Sequence, residues 1–597
     1  MDDETAEIEL LEQNLNKTRQ ISQRMTSILT SFDSRLVKLE KSILPLYTST
    51  QVLTRRGNNI ESALLKIDEA ASNQEGIAAE EALILRGPQP KHLDVYTDAL
   101  ERLNASIAFG SAAENQRDTA RLVETGSKKL AQLFTKVVAA SSSGNPPAGS
   151  EFQFSQFPRE EVATLLPLVK FLRALPLPAT HPSHPAAAAI LSALKEAQRG
   201  YAEMRGNWAR KCLEVYGRRI VDRAETTDGI LAGRELRRWT TNLLDVVEDE
   251  YNLLTQLAPL PGQSHLPSTY ITLLTPLTTL FNSTLSSLSA LIKRSLHKYT
   301  FHALASYSAL SACQDRWDDL ITRRADRKEN ELKEGSHALR GVCMRSFPEF
   351  LADLKLAGLG RGGEIGTGCA DFTITTTRYL EELLDVRDAV GATLMLLGDG
   401  NWKMGDGIQA KPNKGKRAPG SESVLIEHYT YDVVTTLIAS LTTLSRSQRR
   451  PAFGSVFLLN NTAYLCTNLL KSRSPVLEIF SRPTEETINS SFRTAKAGYF
   501  ESNFSPLVQA LAEDKDKSGG GKTAAKEKFT RFFDLLEETK ERHQLARVLD
   551  DDEEQRQMLE DEVVKLVVPS LRRFTQKMRE KEFSKSTSRA RSVLTIC

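Results

Sequence analysis

The N-terminal 46 residues carry the pattern that most restricts how this chain can fold. Apolar residues recur at alternating three- and four-residue steps from Ile8 to Leu46, and ten of the twelve positions in this series are apolar. A repeat of 3.5 residues keeps one apolar stripe on one side of a helix, as in the seam of a coiled coil. The predicted seam residues are Ile8, Leu11, Leu15, Met25, Leu29, Phe32, Leu36, Leu39 and Ile43.

Two structures are compatible with this apolar stripe. The helix could pair with a helix of another protein, or it could fold back onto its own chain. The pattern favours a partner, because it persists for more than five heptads and an isolated helix is marginal in water. Pro45 is expected to disrupt the pattern. We therefore predict a coiled-coil assembly segment over residues 1–70.

The rest of the chain has helical periodicity almost throughout. Apolar residues recur at three- and four-residue steps in long segments such as Leu231–Leu257 and Tyr270–Leu310. Alternating β-branched runs between tight turns are scarce. The nearest is Asp371–Thr377, which is too short and isolated to build a sheet. The predicted fold class is all-α, with the N-terminal coiled-coil helix followed by stacked antiparallel helical bundles.

Linkers rich in Gly, Pro or Ser divide this helical chain. The longest is the Gly- and Lys-rich segment 398–423, and others occupy 141–150, 176–185, 258–267, 357–368 and 513–525. These breaks predict four consecutive bundles after the assembly segment. Their expected ranges are 71–200, 201–330, 331–515 and 516–597.

Composition excludes several classes of protein. The 597 residues include 78 Lys and Arg against 76 Asp and Glu, so the chain is neither globally polybasic nor globally polyacidic. No apolar run approaches the ~20 residues that span a bilayer, and the acidic N-terminus lacks the apolar core of a secretory signal. None of the six cysteines forms a C-x-x-C pair. This absence indicates a reducing, cytosolic setting without a zinc module or disulfide framework.

The motifs that could support catalysis are weak. Gly358, Gly360 and Gly363 satisfy G-x-G-x-x-G, but they follow a helix-like stretch rather than a buried strand, so a flexible loop is the better interpretation. The segment Gly398–Gly407 lacks calcium-loop spacing and is more typical of a turn with a buried Trp402. The nine histidines form no metal-binding pattern. We predict no catalysis, no cofactor and no metal.

The charge distribution near the C-terminus is a stronger signal than these motifs. Residues 548–562 contain eight acidic residues and one basic residue, whereas residues 563–597 contain nine basic and two acidic residues. Leu571, Phe574 and Met578 form a predicted core stripe. At 100° per residue, five basic residues point away from that stripe. These five are Arg572, Arg573, Lys577, Arg579 and Lys581.

Three interpretations of this cationic face are open. It suits anionic lipid headgroups, with about 1 kcal/mol for each Lys or Arg near the surface. It could also bind nucleic acid. Aromatic residues that could stack on bases are scarce in this segment, so we predict no nucleic-acid partner. Finally, it could be an ordinary solvated face that the preceding acidic run neutralises.

Several stretches, in order along the chain, resemble one known family. They include Leu83–Phe109, Tyr201–Leu213, Arg345–Lys355, Leu394–Gly405, Ser455–Leu470, Lys526–Glu537 and Leu566–Lys585. In this order they resemble the seventy-kilodalton subunit of the exocyst, in a fungal-like form. The ordered set covers nearly the whole chain.

The resemblance implies a fold and a role. Members of the family are rods of stacked helical bundles after a coiled-coil segment, within a complex that tethers secretory vesicles to the plasma membrane before fusion. The heptads would pair with other exocyst subunits. The C-terminal basic surface would bind phosphatidylinositol 4,5-bisphosphate, and Lys585 aligns with a lysine of that lipid-binding cluster. After Lys585 the sequence departs from the family pattern.

The resemblance also implies a Rho-family small GTPase as a partner, without placing the contact on residues. It further implies a peripheral location on the inner face of the plasma membrane, at sites of polarised growth such as a bud tip, hyphal tip or septum. The alternative function is that of an all-α scaffold from another tethering complex, whose basic tail binds protein rather than lipid.

Overall fold

The computed structural model describes most of the chain. The described residues are 2–71, 77–109, 113–146, 149, 152–154, 156–175, 186–260, 262, 264–360, 366–403, 421–470, 474–512, 522–550 and 552–579. Across these ranges, regular structure is helical and no residue forms a strand. The all-α prediction is therefore confirmed. Even Asp371–Thr377, the most strand-like run in the sequence, forms the first turns of a helix.

Eighteen α-helices follow one another within the described ranges. The first nine are α1 Asp2–Ala71, α2 Ile77–Arg86, α3 Leu93–Phe109, α4 Ala113–Ser141, α5 Arg159–Ala174, α6 Ala187–Arg223, α7 Gly229–Leu257, α8 Leu266–Arg294 and α9 Thr300–Trp317. The others are α10 Glu331–Gly358, α11 Asp371–Asp385, α12 Arg387–Leu397, α13 Ser421–Ser447, α14 Pro451–Leu469, α15 Arg482–Asn503, α16 Ser505–Ala510, α17 Lys522–Ala546 and α18 Glu553–Arg579.

Helix α1 differs from its prediction at Pro45. The helix continues through this proline to Ala71, so the expected disruption of the pattern was wrong. Proline removes one backbone hydrogen bond and crowds the preceding turn, but a long helix can continue through that local loss. The apolar repeat also stays in register beyond Pro45, where Leu53, Ile60 and Leu64 occupy later seam positions.

The helices group into two compact units. The first comprises Met1–Ser143, Phe157–Tyr201 and Thr255–Leu266, and the second comprises Gly144–Gln156, Ala202–Leu254 and Pro267–Cys597. In the first unit, α2, α3 and α4 bury residues such as Ile84, Leu100 and Phe134 completely. Among the described residues, none of the helices combines the length and the apolar character that a membrane span requires.

The second unit contains the larger core. The centre of the Phe281 ring lies 6.1 Å from that of Trp239 and 4.6 Å from that of Trp317. These aromatic contacts join α7, α8 and α9. Another apolar cluster, the C-terminal core, is formed by residues from Val456 to Val567. Its buried members are Val456, Leu459, Ala463, Tyr499, Phe504, Leu507, Ala510, Leu511, Phe532, Ala546, Leu549, Leu559 and Val567.

Candidate functional site

Helix α18 carries the cationic residues that the sequence singled out, and its start is well defined. The backbone N–H of Gln555 donates to the Asp552 carboxylate at 3.1 Å. The Thr467 hydroxyl of α14 donates to the other oxygen of that carboxylate at 2.9 Å. Asp552 therefore caps α18, and the acidic first turn matches the positive end of the helix dipole.

One face of α18 docks on the C-terminal core. Leu559 and Val567 are buried there, while Leu571 and Phe574 pack against the same cluster and are partly buried. The ring of Phe574 lies parallel to that of Phe529 in α17, with 6.5 Å between the ring centres. Leu571 and Phe574 thus lie on the core side, where the amphipathic pattern places them.

The opposite face of α18 presents cations to solvent. Arg572, Arg573 and Lys577 are all exposed. Within the part of the chain that the structure describes, no carboxylate forms an ion pair with Arg572 or Arg573. Arg579 is the last residue of α18, and Lys581 and Lys585 lie outside the described residues.

The acidic run before this face has other partners. Arg556 forms ion pairs with Asp550, Glu553 and Glu560, and its hydrogen bond lowers the pKa of Glu553. Lys496 of α15 reaches Glu562 at 2.7 Å. These contacts occupy part of the acidic run away from Arg572 and Arg573. They weaken the interpretation that the acidic run neutralises the cationic face.

Lys565 extends this surface, although it was not among the five basic residues that the amphipathic pattern identified. It lies seven residues before Arg572, two helical turns away, and is exposed on the same side of α18. The spacing of seven residues was the signal that could have identified it. With Lys565 added, the exposed cationic face of α18 comprises Lys565, Arg572, Arg573 and Lys577.

A second candidate surface runs along α1. All nine predicted seam residues are exposed, with between 50% and 66% of their surface accessible. Leu53, Ile60 and Leu64 are similarly exposed. The hydroxyl of Thr18, a polar seam position, donates to the carbonyl of Asn14 at 2.7 Å. So long an apolar stripe on a solvent-facing helix is typical of a surface that another helix covers.

The structure gives the weak glycine motif a packing role. Gly358 ends α10, and a β-carbon there would lie 2.7 Å from the backbone of Ser440 in α13. The absence of a β-carbon at Gly358 therefore permits the close approach of α10 and α13. Gly363 lies outside the described residues. No group of three or more His, Cys, Asp or Glu side chains suited to a metal occurs among the residues that the structure describes.

The burial of Trp402 matches its prediction, while residues 404–407 of the predicted turn lie outside the described residues. The indole of Trp402 is 1% exposed and donates to the Asp432 carboxylate at 2.9 Å. Lys403 pairs with the same carboxylate at 2.6 Å. These contacts hold the turn that follows α12 against α13, so the role of Trp402 is structural.

Comparisons with known proteins identify the family. The family model for the C-terminal part of the "Exo70 exocyst complex subunit" matches residues 234–593, more than half of the chain. The chain is 22% identical to the exocyst complex protein exo70 of Neurospora crassa, across 96% of this chain and 94% of that protein. It is 28% identical to exocyst complex component 7 of Drosophila melanogaster over 28% of this chain and 27% of that protein.

A solved structure shows the same fold. The crystal structure of the exocyst component Exo70p of Saccharomyces cerevisiae matches with a TM-score of 0.55 and 14% identity. The match covers 87% of this chain and 96% of the yeast chain. Together with the match to the family model, these findings show that the chain belongs to the Exo70 family of exocyst subunits.

Proposed function

We propose that this chain tethers secretory vesicles to the plasma membrane as a non-enzymatic exocyst subunit, joined to its complex through α1 and to lipid through the cationic face. The lipid proposal rests on one observation: among the described residues, Arg572 and Arg573 are exposed and form no ion pair with a carboxylate. Family membership supports the tethering role.

The lipid proposal follows from charge and geometry. Four cations lie on one exposed side of a helix whose other side is anchored to the C-terminal core. Each is worth about 1 kcal/mol near an anionic membrane, so four together give a useful but salt-sensitive attraction. Phosphatidylinositol 4,5-bisphosphate concentrates negative charge in one headgroup. We propose this lipid as the ligand, with Arg579, Lys581 and Lys585 adding further positive charge.

The assembly proposal rests on the exposed stripe of α1. We propose that helices of other exocyst subunits cover the seam from Ile8 to Ile43 and its continuation to Leu64. Covering these side chains removes a large apolar area from water, at roughly 25 cal/mol for each Å² buried. A Rho-family GTPase and a location at sites of polarised growth follow from family resemblance alone and are proposed on that basis. The bundle boundaries 71–200, 201–330, 331–515 and 516–597 also stay predictions.

Two experiments test these proposals separately. Flotation with liposomes that contain or lack the bisphosphate lipid should show binding that needs the lipid and weakens as salt is raised. Equal binding to both liposomes would contradict the lipid assignment.

For assembly, deletion of residues 1–70 should leave a folded chain that no longer co-purifies with exocyst partners. Undiminished co-purification would show that the seam is not the assembly surface.

The alternative function is that of a scaffold whose basic end binds protein. It predicts no flotation with either liposome, together with loss of a protein partner when the cationic face is reversed in charge. The lipid experiment therefore separates the two functions directly.

A further inference from the structure

The turn that joins α17 to α18 has an unusual backbone. Arg547 and Leu549 both adopt the left-handed conformation, with φ of 43° and 51°. Residues with a β-carbon rarely occupy this region, because the side chain crowds the backbone. Such a turn persists only where its surroundings hold it in place.

Asn460 of α14 makes several of the hydrogen bonds that hold this turn in place. Its carbonyl oxygen accepts from the backbone N–H of Leu549 at 2.9 Å. Its amide nitrogen donates to the carbonyls of Arg547 at 3.1 Å and Thr367 at 2.7 Å. The residue is 7% exposed. One buried side chain thus ties α14, the turn and the segment before α11 together.

A second contact secures the other end of the turn. Thr467, two helical turns along α14 from Asn460, donates to the Asp552 cap of α18 and accepts from the Gln555 side-chain amide at 3.2 Å. Polar side chains of α14 therefore hold the connection between α17 and α18 at two successive points.

The two helices are otherwise lightly buried. Among described side chains, six residues in α17 and α18 together are buried: Ala525, Phe532, Thr539, Ala546, Leu559 and Val567. By contrast, α14 has twelve buried residues in a helix of 19. A segment with few buried contacts is a candidate for local opening below the free energy of global unfolding.

We propose that Asn460 is a latch that controls how often α17 and α18 open from the bundle as one unit. While the latch is closed, the strained turn and the capped start of α18 fix the cationic face on the bundle. When it opens, both helices separate from α14 together and uncover apolar side chains such as Phe532. This inference does not depend on lipid being the ligand of the cationic face.

The neighbouring residue provides a matched control. Asn461 is fully buried one position along α14, and its carbonyl oxygen accepts from the Ala370 N–H at 2.8 Å and the Thr373 hydroxyl at 2.7 Å. It therefore holds the start of α11 rather than the turn. Both asparagines bond to the segment before α11, but only Asn460 bonds to the turn, so only its variant should release α17 and α18.

Amide hydrogen exchange on the full chain, under conditions where it reports opening equilibria, tests the proposal. Asn460→Ala should accelerate exchange of the slow amides in α17 and α18 by a common factor of about ten or more, since each lost hydrogen bond contributes a factor of roughly two to ten. Exchange in α15 should not change. Asn461→Ala should accelerate exchange in α11 while leaving α17 and α18 as they are.

Three outcomes would overturn the proposal. They are unchanged exchange in α17 and α18, acceleration in one of these helices alone, or equal acceleration in α15. Thr467→Val provides a second variant if Asn460→Ala folds poorly. It removes only the outer contact, so it should accelerate the same two helices by a smaller common factor, and an effect confined to α14 would contradict the latch.

Discussion

The side chains of Arg205 in α6 and Glu250 in α7 form a buried ion pair, with 0% and 1% of their surfaces exposed. The guanidinium donates twice to the carboxylate, and Nε lies 3.0 Å from Oε2. Burial raises the pKa of Glu250, and the positive charge of Arg205 opposes that rise. Each charge is tolerated inside the unit because the other neutralises it.

Removing one partner of this pair should therefore destabilise the fold strongly. Arg205→Met should cost ~3–5 kcal/mol, because it leaves the Glu250 carboxylate buried without a counter-charge. The double variant Arg205→Met, Glu250→Leu should recover most of that loss. Urea unfolding of the three proteins measures both effects. A double variant as unstable as the single one would show that the pair is needed for more than mutual neutralisation.

The stability of the C-terminal core should depend on pH through His543. Its Nδ1 lies 2.6 Å from the Thr539 carbonyl and its Nε2 2.7 Å from the Tyr499 hydroxyl, and burial lowers its pKa. In the unfolded chain a histidine has a pKa of ~6.5. The unfolded state therefore binds the proton more readily, and stability should fall as pH drops below that value.

Urea midpoints at pH 7.5 and 5.5 measure this dependence. The wild-type midpoint should be lower at pH 5.5, and His543→Gln should show a smaller difference between the two pH values. Some dependence should remain, because burial also lowers the pKa of His302. A variant with the full wild-type difference would show that His543 does not contribute to the acid sensitivity.

Two glycines in helices should respond oppositely to alanine. A β-carbon on Gly206 of α6 would lie 2.5 Å from the carbonyl oxygen of Leu273 in α8, whereas one on Gly341 of α10 has open space around it. Gly206→Ala should thus force two helices apart and cost ~1–3 kcal/mol. Gly341→Ala should stabilise the protein by ~0.5–1 kcal/mol, because alanine favours the helix. Thermal unfolding of both variants measures the contrast, and equal shifts would contradict it.

Substitutions in the seam of α1 should separate assembly from stability. Leu29 and Phe32 are each 63% exposed, so Leu29→Glu with Phe32→Glu should change the stability of the isolated chain by less than ~0.5 kcal/mol. The same change should abolish co-purification with exocyst partners, since it places charge in a covered apolar seam. Ser27→Glu, on the opposite side of the helix, is the control and should leave co-purification intact.

Periodicity in the sequence was enough to predict the all-α fold, because amphipathic helices record their buried face in local spacing. The same reasoning placed Leu571 and Phe574 towards the core and Arg572 and Arg573 towards solvent. It failed at Pro45, where the local cost of proline does not end a helix of 70 residues. It also could not pair Asn460 with Leu549 or Arg205 with Glu250, since these partners are 89 and 45 residues apart and meet only after folding.

The proposed lipid surface is tested most directly by reversing its charge and comparing that change with an equal change elsewhere. The test variant carries Arg572→Glu, Arg573→Glu and Lys577→Glu, and the control carries Arg446→Glu, Arg449→Glu and Arg493→Glu at three other exposed positions. Both lose the same net charge. In flotation with liposomes containing phosphatidylinositol 4,5-bisphosphate, we expect the control to bind nearly as wild type and the test variant to stay unbound. Retained binding by the test variant, or equal loss in both, would contradict a lipid site on the cationic face of α18.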